Sequence, residues 1–136
     1  YLRDITMVNL AKGLERSNRS RSDVEVTIPI MSAVGRDEAE VAPKLAAVRQ
    51  QLAFYGSTPA YRGVLEHHGW GDVGDELNRL SKQGEWVAMA DLITDEMLCE
   101  FAVIGDLESV STEIKQKFGG LVDRVQMGLS DEPLKI

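Results

Sequence analysis

Scarcity is the first thing this chain shows. Its single cysteine, Cys99, excludes an internal disulfide and any metal site built from several thiolates, and suits a reducing, cytoplasmic setting. The two histidines, His67 and His68, are adjacent, which does not match common zinc-ligand spacing, so no metal site is expected. No apolar run approaches the roughly 20 residues that span a bilayer. Positive charge is also short: 15 Lys and Arg stand against 22 Asp and Glu, a net charge of −7. That balance repels phosphate backbones and anionic lipid, so neither nucleic acid nor membrane is an expected partner. The opening Tyr1-Leu2-Arg3 has no Met, basic segment or apolar h-region and reads as a processed or excised segment, not a secretory precursor. What remains is ordinary: 136 residues, 43% hydrophobic and 27% charged, one domain or a piece of a larger one with enough apolar material for a core.

Periodicity supplies the next layer. Leu2, Ile5, Val8, Ala11 and Leu14 recur at helical spacing across 2–16. A polar loop, Ser17 to Ser22, precedes Val24–Val34, which alternates at first and is then almost continuously apolar, as a strand covered on both faces would be. Pro29 sits awkwardly there, because proline removes a ladder donor. Asp37 can cap a helix to about Phe54, in which Pro43 predicts a kink or two short helices. Gly56-Ser57-Thr58-Pro59 breaks that helix. Further helical stretches fit Ala60–His68, Asp75–Lys82, Glu85–Ile93 and, capped by Thr94, a short one through Glu100. Phe101–Ile104 is a short apolar run, Leu107–Phe118 a helix capped by Asp106, and Leu121–Met127 a final strand. The fold class is therefore α/β and helix-rich. Val24–Val34 and Leu121–Met127 are expected to form a parallel strand pair with Leu107–Phe118 crossing between them. The chain divides into 1–35 (helix and strand), 36–100 (a helical excursion), 101–127 (crossover helix and last strand) and a tail, 128–136. Two strands make a poor sheet alone, which points to further strands elsewhere.

The run Arg49-Gln50-Gln51-Leu52-Ala53-Phe54-Tyr55-Gly56-Ser57-Thr58-Pro59-Ala60-Tyr61-Arg62 resembles the C-terminal portion of the luciferase-like monooxygenase superfamily. His68-Gly69-Trp70-Gly71-Asp72, Gly105-Asp106-Leu107-Glu108-Ser109-Val110 and Gly120-Leu121-Val122-Asp123-Arg124-Val125 fit the same picture, so the likeness runs from Tyr1 to about Met127. The resemblance is to members that use the deazaflavin coenzyme F-420, with FMN the alternative cofactor. It implies the C-terminal part of a (β/α)8 TIM barrel, whose chemistry sits at the C-terminal rim. In that setting 36–100 would cover the flavin pocket of an oxidoreductase or monooxygenase acting on a small organic substrate. The resemblance places most of the acid/base residues upstream of this chain, leaving the catalytic residues unknown and the isolated chain inactive.

Among the residues themselves, Tyr55, Ser57, Tyr61 and Arg62 are the leading candidates for cofactor or substrate binding. Hydroxyls and a guanidinium at a helix break can hydrogen-bond a flavin-like ring or pair with an anion, although Ser57 and Thr58 equally suit helix caps. His68 and Trp70 are lesser candidates, as a base and a stacking surface; the bland reading is a core-edge histidine, with Trp70 and Trp86 packing. Asp106 reads as a cap rather than part of a phosphate site, and Cys99 as a small buried hydrophobe. Exposed barrel-strand edges favour a homo-oligomer. The alternative function is a non-catalytic oligomerisation or regulatory α/β module, which would account for the absence of an assembled catalytic set.

Overall fold

A computed structural model describes residues 1–128; of the tail expected at 128–136, all but Gly128 lies outside the described residues. Leu2–Thr6 winds as a wide π turn and continues into α1 (Met7–Arg16), giving the single helical stretch that the periodicity predicts. After the polar loop comes β1 (Thr27–Val34), then α2 (Glu38–Gly56), capped by Asp37 Oδ1 accepting from the Glu40 amide at 3.0 Å. Pro43 neither ends α2 nor splits it. Its place in the second turn removes one hydrogen bond, and the rest of this 19-residue helix carries the loss.

A 3-10 turn, Pro59–Tyr61, leads into α3 (Arg62–His67), followed by α4 (Gly71–Gln83), α5 (Trp86–Asp91) and α6 (Asp95–Phe101). Then come β2 (Ala102–Gly105), α7 (Leu107–Phe118) and β3 (Arg124–Met127).

The three strands form one parallel sheet in the order β2-β1-β3. Val24–Val34 and Leu121–Met127 do contribute parallel neighbours, pairing Thr27 with Arg124 through Ile30 with Met127. The expected two-strand sheet is corrected by β2, which pairs Met31 with Ala102 through Val34 with Gly105. Only 4 residues long and continuous with the helix before it, β2 has too little sequence to display a strand period. Consequently α7 links β2, not β1, to β3, and the helical excursion runs from β1 to β2. The described residues form an open sheet; a barrel is not present in this chain alone.

Alternation along the strands sorts the two faces. Met31, Ala33, Ala102 and Ile104 point into the main core with Val48, Leu52 and Ala53 of α2, and with Leu65, Leu77, Leu80, Met89, Ile93, Met97 and Leu98 from the excursion. Val103 points to the opposite face, where α7 packs on β2 and Val110 is wholly buried. Two sequence expectations fail at this layer. Cys99 is exposed, because α6 turns Met97 and Leu98 inward and leaves Cys99 on its outer side. Trp86 is 53% exposed at the start of α5 and does not join Trp70 in packing.

Polar contacts hold the pieces in register. Arg49 donates to the Ile93 carbonyl and to Asp95 Oδ1, tying α2 to the α5–α6 link. Below the sheet, Asp123 Oδ2 accepts from the Val26 amide and from Arg21, each at 2.7 Å, while Arg124 pairs with Glu25 at 2.5 Å. These contacts seat β3 on β1. The Val26 amide, then Arg21, hold the Asp123 carboxyl below its ordinary value of 3.8.

Leu77, 0% exposed, fills the approach between α2 and α4 so closely that a Cβ on Gly56 would stand 2.8 Å from its Cδ1. Leu77→Ala is expected to lower unfolding stability by about 2–5 kcal/mol, measured by urea denaturation. Asp123, with its folded pKa depressed, contributes stability that is present above pH 3.8 and lost as pH falls through the lower folded value. Asp123→Asn is therefore expected to show a shallower fall in melting temperature than wild type below pH 3.8.

Candidate functional site

In open parallel sheets, ligands bind beyond the carboxyl ends of the strands. A cleft of about 530 Å³ lies at that edge, lined by Ser32, Val34 and Gly35 at the end of β1, by Arg36, Glu40 and Lys44, by Asp106, Leu107 and Glu108 at the start of α7, and by Gly128. That volume falls within the range of small-molecule sites.

Each wall follows from local sequence. β1 ends at Gly35, where any Cβ would stand 2.7 Å from the Cβ of Glu40, so α2 can begin hard against the strand. The first turns of α2 then deliver Arg36, Glu40 and Lys44 to one side. Lys44 Nζ donates to the Val34 carbonyl at 2.6 Å, anchoring the ammonium over the strand end. Arg36 is bound to Glu40 through its backbone amide and its Nε, each at 2.9 Å. Those hydrogen bonds hold the Glu40 carboxyl at about 2, so it is ionised throughout the neutral range. Opposite, β2 ends at Gly105 with φ +138°, a backbone that L side chains rarely adopt, and a Cβ there would meet Ser109 Oγ at 2.7 Å. This turn lets Asp106 cap α7, accepting from the Glu108 and Ser109 amides at 2.9 and 2.8 Å. The Ser109 amide leads the contacts that keep Asp106 below its ordinary pKa of 3.8.

Chemically the cleft is mixed: two cations and three carboxylates surround Val34, Leu107 and the Ser32 hydroxyl. It can receive a polar ligand portion with both donors and acceptors. Among the described residues no cluster of His, Cys, Asp and Glu is placed to hold a metal. Sequence reasoning missed Ser32, Arg36, Glu40 and Lys44. The available signal was Gly35-Arg36 directly after an apolar strand, where a βα turn opens.

None of the six residues singled out from the sequence lines this cleft. Four of them share the α2–α3 corner. Tyr55 and Tyr61 meet edge-on with ring centroids 5.8 Å apart, and Phe54 stands 5.8 Å from Tyr55, all three at least 38% exposed. Ser57 is buried, donates to the Phe54 carbonyl at 2.7 Å, and its own carbonyl accepts from Asn78 Nδ2 at 2.8 Å. Arg62 pairs with Glu66 at 3.0 Å and donates to Asp75 Oδ2 at 2.8 Å.

His68 and Trp70 form a second group. Their rings stack at 5.2 Å and 18°, Phe101 meets both edge-on, and Glu100 stands 3.8 Å from His68 Nδ1. His67 points elsewhere, toward Asp4 at 3.2 Å and the edge of Tyr1, which pins the N-terminal turn to α3.

A parallel α/β sheet whose strand ends open into a ligand-sized cleft defines a class, and comparison with known proteins gives the family. Residues 4–124 match the luciferase-like monooxygenase family, and the chain belongs to it. Uncharacterised proteins of Mycobacterium tuberculosis (strain H37Rv) and Mycobacterium bovis are each 53% identical over 125 residues, covering 92% of this chain and 37% of the relative. A 5,10-methylenetetrahydromethanopterin reductase of Archaeoglobus fulgidus is 26% identical over 130 residues, covering 92% of this chain and 38% of that protein. The chain thus spans less than two fifths of the length of these relatives. No solved structure matches it significantly. No helix among the described residues is long and apolar enough to cross a membrane.

Burial among the rings lowers the His68 pKa below 6.5, against the opposing pull of Glu100. A lowered folded value favours the neutral ring, so its contribution to stability is present above pH 6.5 and lost as pH falls through the folded value. Melting temperature is expected to drop less steeply below pH 6.5 in His68→Phe than in wild type, read by circular dichroism.

Proposed function

We propose that this chain is the closing portion of a (β/α)8 oxidoreductase or monooxygenase that uses a flavin-type cofactor, with the strand-end cleft contributing to the ligand pocket. Membership of the luciferase-like family carries the reading, since that family uses flavin-type cofactors. Deazaflavin coenzyme F-420 is the cofactor favoured by the resemblance, with FMN second, and a small organic molecule is the substrate. Likeness to a reductase of a reduced pterin supports hydride chemistry over oxygen insertion.

The residues fit the polar part of such a cofactor better than its ring. Lys44 and the mixed charged wall suit a hydroxylated arm, and the exposed Tyr55 and Tyr61 offer faces to a flat ring or to the rest of the whole protein. The bound cofactor supplies the redox step, and the protein supplies position and electrostatics. Arg62 supports the tyrosine corner through its two carboxylate partners. Ser57, His68 and Trp70 shape that wall from behind: Ser57 closes α2, and the His68–Trp70–Phe101 stack fastens α3 to α6. Catalytic acid/base groups come from elsewhere in the whole protein, which in this reading is a cytoplasmic homo-oligomer, with exposed Ile5, Val8 and Phe54 as apolar contact residues.

A second reading, a non-catalytic oligomerisation or regulatory module, draws on one observation. Helices of this chain already cover both faces of β2. Absorbance titration of the full-length protein with F-420 and with FMN separates the two readings. Saturable binding of one cofactor is expected, and binding of neither overturns the enzyme reading. In that protein Lys44→Ala is expected to weaken cofactor binding about tenfold, or about 1.4 kcal/mol.

A further inference from the structure

His68 closes α3 inside a cluster of rings, with its side chain only 17% exposed. It stacks on Trp70 at 5.2 Å and meets Phe101 and His67 edge-on at 5.3 Å each. Trp70 and Phe101 in turn rest on the main core. The amides of His68, Gly69 and Trp70 fold back onto the Leu65 and Glu66 carbonyls at 3.1, 3.0 and 2.8 Å, forming one tight turn. Within it Gly69 has φ +80°, and nothing lies within 4 Å of where its Cβ would stand. The turn thus has one side fixed by rings and one side open. Charges reach the imidazole from three directions. Glu100 of α6 stands 3.8 Å from Nδ1, His67 is its neighbour on α3, and the N-terminal turn brings Asp4 and the Tyr1 amine. Burial leads and favours the neutral ring, with the Tyr1 amine and His67 acting the same way; Glu100 and Asp4 oppose it.

We propose that His68 is a proton-operated latch: when neutral it holds the end of α3 against Phe101 of α6, and when protonated it leaves the rings and frees the 68–70 turn. Gly69 is the hinge, and the open side of the turn receives the imidazolium, which regains water there. Trp70 then loses its stacking partner, and the helical excursion loosens locally while its core stays packed. The direction follows from linkage. An open ring titrates at the ordinary 6.5 and a closed one lower, so opening is independent of pH above 6.5 and grows as pH falls through 6.5 toward the folded value. Apart from Asp4 and Tyr1, every group involved lies within 65–101. The latch therefore requires neither a bound cofactor nor a particular neighbour for the sheet.

The test is hydrogen exchange of the full-length protein from about pH 8 to about pH 5, corrected for the intrinsic pH dependence of exchange, on wild type, His68→Phe and Glu100→Gln. In wild type the amides of 68–70 are expected to lose protection as pH falls below 6.5, while the Met89 and Leu98 amides, bonded to Glu85 and Thr94, keep theirs. His68→Phe keeps a ring on Trp70 but has nothing to titrate, and its protection is expected to stay level. Glu100→Gln removes the carboxylate that favours a charged ring in the closed turn, so its loss is expected to be deeper than in wild type. A wild-type turn that stays protected overturns the proposal. So does a loss that persists in His68→Phe, or one that Met89 and Leu98 share, which is global unfolding. Should His68→Phe not fold, wild type against Glu100→Gln decides, and a loss that Glu100→Gln does not deepen overturns the proposal.

Discussion

The backbone ladder along β1 is the constraint on which the rest of this structure depends. One strand of 8 residues serves both neighbours, giving Met31–Val34 to β2 and Thr27–Ile30 to β3. Pro29, awkward for a central strand, falls in the half paired with β3, where it is exposed and the partner strand is only 4 residues long. Because the Arg124 amide donates to the Val26 carbonyl, residues 26, 28 and 30 face β3. The Pro29 nitrogen faces the opposite edge, short of the Met31–Val34 stretch that pairs with β2, so no ladder bond is lost. Asp123 also grips the Val26 amide, and the Asp123 and Arg124 amides both donate to the Val26 carbonyl at 2.9 and 3.2 Å. A polar clamp at the amino end thus stands in for ladder length, and the carboxyl end is left free to open into the cleft.

How much of this was legible follows from how long each signal is. α7 was readable because its cap, its apolar spacing and its terminating glycines all agree over 12 residues. β1 was readable as a strand because its apolar run is nearly continuous, but the covering expected on both faces is found on one, where α2 packs. β2 was not, since Ala102–Gly105 shows no period and is decided by tertiary pairing with Met31–Val34. Cys99 was misjudged because its apolar sequence neighbours Leu98 and Phe101 lie on a helix, where adjacent residues point about 100° apart. The cleft residues escaped notice for a related reason. Arg36, Glu40 and Lys44 look like an ordinary solvated first turn of a helix, and only the packing of α2 against the end of β1, where Gly35 meets Glu40, places them at the mouth of the sheet. Polar residues at the Tyr55–Arg62 break were conspicuous in sequence, yet Ser57 and Arg62 are engaged in internal bonds there.

The two faces of the sheet make different demands. On the excursion side, register pairs Met31 with Ala102 and Ala33 with Ile104, so a large side chain always lies beside a small one. That alternation yields an even surface on which α2 settles with Val48, Leu52 and Ala53. The other face is covered near β2 by α7, through Val103 and Val110. In a closed barrel one face of every strand must look inward on side chains from other strands, while helices take the outer face alone. A sheet with helices on both sides meets only half of that condition. The excursion layer is the larger of the two and contributes most of the buried residues, so it dominates the stability of the isolated chain. Completing a barrel around β1 therefore means exchanging excursion contacts on the Met31–Ala33 face for strand side chains, while the α7 face is already built as an outer layer. Consecutive strands are neighbours in such a barrel, whereas here β1 lies between β2 and β3, so the proposed barrel also requires β3 to pair with β2 in place of β1.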